Sequence, residues 1–221
     1  MTYIKTPAAR LQITHHLDEV TLMAYAAGTL HEAFNLIVAT HLSLCDVCRA
    51  DAQAYDAVGG ALLGDENAAL SADSLARTLA LLDKVDIDPV KQTVTSDLPA
   101  PLHDYVGGDL ESIRWRPLGM GVKQAILPTS KGATARLLFI PAGAAMPDHG
   151  HQGTELTLVL KGAFQDADGY FARGDVEIAD SGVQHIPVAD IHEDCICLAV
   201  TDAPLRFTGF LPRIFQRFAR I

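Results

Sequence analysis

With 221 residues, the chain is long enough for one large domain or two small ones, with a hydrophobic core in at least one. Hydrophobic residues make up 49% of it, yet its most apolar run, LLFIPAGAAM at 137–146, is short and broken by Pro141 and Gly143, so no membrane span is expected. A formal charge of −10 at pH 7 argues against direct binding to nucleic acid, whose phosphates need Lys and Arg, and suits a basic protein partner better.

The acidic excess is greater toward the N-terminus, where residues 1–95 carry 12 acidic against 6 basic side chains and the remainder 15 against 11. The opening stretch MTYIKTPAARLQITHH lacks the pattern of a secretory signal, so a cytoplasmic location is expected. In a reducing compartment, four cysteines spaced as CxxC and CxC point to metal binding or redox chemistry rather than to a disulfide framework.

Helical periodicity governs the first third of the chain. LDEVTLMAYAAG predicts a first helix from Leu17 that stops at Gly28, and a second follows from Leu30 to Leu44. A third is expected from Cys48 to Leu63, interrupted near Gly59 and Gly60, and a fourth after Ser74 places Leu75, Leu79 and Leu82 on one face. Residues 86–101, DIDPVKQTVTSDLPAP, lose all periodicity and read as a linker. Beyond it, short runs such as QAILP, ARLLFIP, LTLVLKGAF, GDVEIA and CICLAV, bounded by Gly, Pro and Asp, predict an all-β sandwich or barrel. The terminal RIFQRFAR fits either an edge strand or a short helix. The expected organisation is therefore a helical domain over 1–85, a linker over 86–101 and a β domain over 102–221.

Two clusters of ligand-type residues stand out. His41 and Cys45 lie one turn apart on the second helix, and Cys48 sits where a third helix begins, a position that favours the thiolate. Mixed nitrogen and sulfur donors call for tetrahedral zinc, with His15 or His16 as the fourth ligand. A CxxC redox pair, or two buried thiols beside an unrelated histidine, is the competing reading. Zinc ligation, worth roughly 10–16 kcal/mol in small peptides, matches the 5–15 kcal/mol stability of a whole domain, so this unit could depend on it.

The upstream histidine followed by HxxxCxxC resembles the zinc-binding anti-sigma domain family. AYAAGTLHEAFNLIVATHLSLCDVCRA is more specifically similar to the ChrR-type anti-sigma factors. The resemblance implies His16, His41, Cys45 and Cys48 as zinc ligands, although the tandem His15-His16 leaves the first open by one residue. It also implies an extracytoplasmic-function sigma factor as partner, and lends Leu75, Leu79 and Leu82 a partner-binding role that self-packing would otherwise claim.

In the second cluster, His149, His151 and Glu155 sit two and four residues apart, so that in one strand they would share a face, with His185 arriving from another hairpin. Four such ligands suit zinc, or manganese or iron with positions left open. Together with Gly143 and Gly162, this spacing is similar to the first cupin motif. The second motif keeps Gly174 and His185 but has Asp180 where proline is common and Ala189 where asparagine is common, which weakens carry-over of enzyme chemistry. The ChrR resemblance extends from about His15 to Ile221, tips the second metal toward zinc, and implies a cupin-like sensor of singlet oxygen or related oxidative stress rather than a catalyst. A metal-dependent cupin dioxygenase or isomerase is the alternative, and a metal-storage or metal-sensing module a third reading.

Cys195 and Cys197 share a strand face, either near the metal as oxidant targets or as small buried hydrophobes. His31, His103 and His192 have no partner at ligand spacing and read as surface or capping residues.

Overall fold

The computed structural model describes residues 12–64, 69–82, 96–150, 152–180, 182, 184–204 and 206–207, and only the backbone at 149, 206 and 207. Four longer helices come first: α1 (Glu19–Ala26), α2 (Glu32–Leu44), α3 (Asp46–Gly64) and α4 (Ser74–Leu82). Asp18 caps α1, its carboxylate accepting from the Thr21 N–H at 2.7 Å, and Gly28, at φ 66°, provides the left-handed turn that ends the segment. The expected interruption of α3 does not occur. Gly59 and Gly60 both stay helical, because an interior glycine costs only about 1 kcal/mol and the flanking Ala and Leu favour the helix.

Of the expected linker, residues 86–95 lie outside the described residues. Residues 96–101 are packed structure: Leu98 is buried, and a 3-10 turn over Ala100–Leu102 leads into α5 (His103–Val106), with Leu102 fully enclosed beneath α2. Gly107, at φ 75°, closes α5.

The β half contains β1 (Arg116–Gly119), β2 (Val122–Ile126), β3 (Thr134–Ile140), β4 (His149–Gly150), β5 (Glu155–Lys161) and β6 (Ala163–Gln165). It continues through β7 (Tyr170–Ala172), β8 (Val176–Ala179), β9 (Gln184–His185), β10 (Val188–Ala189), β11 (Cys195–Thr201) and β12 (Arg206–Phe207). All neighbours pair antiparallel, in a six-stranded sheet of order β1-β2-β3-β11-β5-β8 and two three-stranded sheets, β10-β6-β7 and β12-β4-β9. The expected all-α half followed by an all-β half is present, but the β half is three sheets rather than one closed barrel.

Every residue of β11 is buried, which a strand achieves only when both of its faces are covered. Ile196, Leu198 and Val200 join Leu156, Leu158, Leu137 and the α2 residues Phe34, Ile37 and Val38 in one cluster. Cys195 and Cys197 point the other way, into a second cluster with Val159, Phe164 and Phe171. The larger core thus runs from the helices through to the outer face of the six-stranded sheet. Replacing the fully enclosed Ile37 by Ala should cost about 2–5 kcal/mol in urea denaturation. Because that core is shared, the helical circular dichroism and the fluorescence of Trp115 should shift to the same lower midpoint.

Candidate metal centre

His16, His41, Cys45 and Cys48 converge so that one ligand atom from each lies within 4.8 Å of all the others. His16 Nδ1 stands 3.3 Å from Cys45 Sγ and 3.5 Å from Cys48 Sγ. His41, Cys45 and Cys48 are buried, whereas His16 is exposed toward a cavity of about 710 Å³ lined also by Ile13, Asp46 and Arg173. The structure gathers His16 into this group and not His15, whose ring instead lies 4.3 Å from that of Phe171.

The chemistry of the group fits a metal ion. His41 Nδ1 is 2.9 Å from the carbonyl of Gly174, and because a carbonyl only accepts, Nδ1 carries the proton and Nε2 the lone pair. That Nε2 is buried and has no hydrogen-bond partner among the described residues, as a nitrogen reserved for coordination would be. Burial holds His41 down to about 4, so the ring is neutral at physiological pH.

Cys48 departs from expectation. It lies in the first turn of α3, a position that favours a lowered thiol pKa, but burial pushes it up to about 11. A metal ion would therefore have to displace the thiol proton to gain a thiolate.

The second cluster is organised differently from its sequence pattern. His149 and Glu155 do not share a strand: β4 ends at Gly150, a bend intervenes at Gln152 and Gly153, and β5 begins at Glu155 in another sheet. The β4 backbone sets His149 opposite His185; the His149 side chain and all of His151 lie outside the described residues. Glu155 is buried at the head of β5 and accepts from the Thr157 hydroxyl at 3.2 Å.

His185 Nδ1 is 2.8 Å from both Asp166 Oδ2 and Glu177 Oε1, and these three are grouped closely enough to hold an ion. Burial pushes Glu177 up to about 7, while His185 is raised to about 9 because its carboxylate partners outweigh its own desolvation. Asp166 stays below its ordinary value despite burial, through hydrogen bonds from Glu177 and His185. The sequence reading did not assign Asp166 or Glu177. Asp166 looks like a turn-former in QDADG and is one, accepting from Asp168 and Gly169 N–H, while its other oxygen faces His185. Glu177 did carry a signal, a carboxylate at an alternating position in the otherwise apolar VEIA.

Cys195 and Cys197 are both fully enclosed, their sulfurs 3.4 Å apart. The bond to Cys195, together with burial, drives the Cys197 thiol well above its usual range.

The sequence profile of the ChrR cupin-like domain matches residues 104–204. The anti-sigma-E factor ChrR of Cereibacter sphaeroides is 59% identical over 214 residues, covering 96% of this chain and all of that protein. The chain belongs to the ChrR family of anti-sigma factors. A crystal structure of Rhodobacter sphaeroides SigE in complex with the anti-sigma ChrR superimposes with a TM-score of 0.78 at 57% identity, over 86% of this chain and all of the matched one. Among the described residues of this ChrR-family chain, no helix is long and apolar enough to cross a membrane.

The thiol protonation gives the cluster a pH signature. With Cys48 at about 11, a metal ion entering the cluster would have to displace its proton, whereas His41 at about 4 has none to lose near neutrality. Competition with a chelator should therefore show affinity rising between pH 6 and pH 8, by roughly tenfold per unit for each thiol proton displaced.

Proposed function

We propose that the chain is a zinc-binding anti-sigma factor of the cytoplasm. Its helical half, residues 1–85, sequesters an extracytoplasmic-function sigma factor, and its cupin-like half, residues 102–221, releases that factor on sensing singlet oxygen or related oxidative stress. Zinc held by His16, His41, Cys45 and Cys48 serves as a structural clasp. A second ion, zinc or else manganese or iron, belongs to the cupin-like half, with His149, His151, Glu155 and His185 as its ligands.

One observation carries the reading. No side chain of α4 is buried, yet the helix presents Leu75, Leu79 and Leu82 at 71%, 52% and 64% exposure. An unpartnered apolar helix suits a surface that is completed by another protein. Fully burying a leucine contributes about 1.5–3 kcal/mol, so three supply energy on the order of a micromolar complex before ordering costs. The crystallised relative, seated on SigE, supports the same assignment.

The metal-dependent cupin enzyme draws support from a cavity of about 540 Å³ opening beside Asp166 and His185, near the Glu177 carboxyl poised at about 7. Turnover of a small molecule by the metal-loaded chain, with no sigma factor captured, would favour that reading instead.

Leu79→Asp should abolish copurification with a sigma factor while moving the urea midpoint by less than about 0.5 kcal/mol equivalent, since the residue makes no buried contact. Unfolding of this variant would assign the face to self-packing. For the sensing half, Glu155→Ala should still capture sigma factor but fail to release it under photosensitised illumination, as read by a sigma-dependent reporter. A normal response would remove the cupin-like cluster as sensor.

A further inference from the structure

The chain offers two adjacent histidines, His15 and His16, and only His16 reaches the sulfurs. Neither lies in a helix, and His16 is exposed, so side-chain packing does not hold it in place. The backbone before it is held instead. Asp175, 3% exposed in the turn before β8, accepts from the Thr14 N–H at 2.7 Å and the His15 N–H at 2.9 Å through Oδ1. Its Oδ2 accepts from the Ala172 N–H at 2.9 Å, which anchors the carboxylate to its own turn. The Val176 N–H returns a bond to the His15 carbonyl at 3.2 Å, tying this bend to the start of β8.

The chain bends at His15, and with the Thr14 and His15 amides and the His15 carbonyl held, the His15 ring lies on Phe171 while His16 reaches Cys45 and Cys48.

We propose that Asp175 is a positioning residue for the metal cluster, holding the backbone of residues 14–15 and so deciding that His16, and not its neighbour, enters the ligand set. The sheet half thereby fixes one of four ligands in the helical half. This rests on the metal reading of the cluster.

The experiment uses the full chain and zinc affinity by competition with a chromophoric chelator, with cobalt absorption reporting tetrahedral thiolate geometry. Asp175→Ala should weaken zinc binding by about 10–100-fold, the usual effect of losing an outer partner of a ligand. In a His16→Ala background the same change should have almost no further effect, because the ligand it positions is gone. Val122→Ala, a buried residue of β2 at the far end of the six-stranded sheet from β8, should leave zinc affinity unchanged. Equal losses in the two backgrounds, or an equal loss in Val122→Ala, would mean general loosening and overturn the proposal. Should Asp175→Ala fail to fold, hydrogen exchange on the unaltered chain still decides: protected Thr14 and His15 amides support the proposal, and amides exchanging as fast as an open chain overturn it. Failure of the unaltered chain to bind zinc would instead bring down the metal reading, and this proposal with it.

Discussion

Helix α2 has thirteen residues and buries eight of them, among them Phe34, Ile37, Val38, Thr40 and His41. An amphipathic helix at a surface buries one stripe, so burial on this scale requires neighbours on opposite sides. α2 has them: α1 and α3 on one flank, the outer face of β11, β5 and β3 on the other. Thr40 is tolerated in this setting because its hydroxyl donates to the Leu36 carbonyl at 2.6 Å, and His41 because its proton goes to Gly174. The helix therefore links the halves energetically as well as in sequence, and the metal cluster is built at the end of the element that is hardest to move.

Polar contacts fix α2 at both ends. At its start, Glu32 accepts from the Tyr105 hydroxyl at 2.9 Å and from the Ser130 N–H at 2.6 Å, and these bonds hold its carboxyl below the usual range. At its end, His41 donates to the sheet half while Cys45 supplies a sulfur to the cluster. A helix gripped at one end only could swing on its hydrophobic contacts, which are non-directional; two directional anchors about a helix length apart remove that freedom.

The sequence exposed the features that depend on short spacing. His41, Cys45 and Cys48 are legible because helical geometry places them together, and the leucines of α4 because they repeat at helical intervals. Features that depend on distant chain were hidden. The choice between His15 and His16 turns on Asp175, about 160 positions away, and no local pattern encodes it. The strand drawn through His149 and Glu155 is broken by a bend that the motif spacing does not reveal, because a two-residue period assumes continuous pleating. Asp166 was masked by its own turn chemistry. The pKa of Cys48 followed burial rather than helix position, and burial is a tertiary quantity.

The arrangement restricts how a chemical event in the sheet half could reach a partner on the helical half. α4 buries no side chain, so no packing against the sheet carries a displacement directly to it. Among the described residues, α2 and residues 14–16 connect the sheet half to the ligand cluster, meeting it at the turn before β8. Two residues beyond Asp175 on the same stretch is Glu177, which holds His185. A rearrangement of the Asp166, Glu177 and His185 group would thus act on the strand whose preceding turn contacts the metal cluster. Moving a two-state equilibrium from 1:99 to 99:1 takes about 5.5 kcal/mol. Exposed charges, worth about 0–1 kcal/mol a pair, are too weak for that, whereas a buried charge left without its partner costs 3–5 kcal/mol. Among the described groups, buried carboxylates meeting an imidazole have the energetic scale that such a change demands.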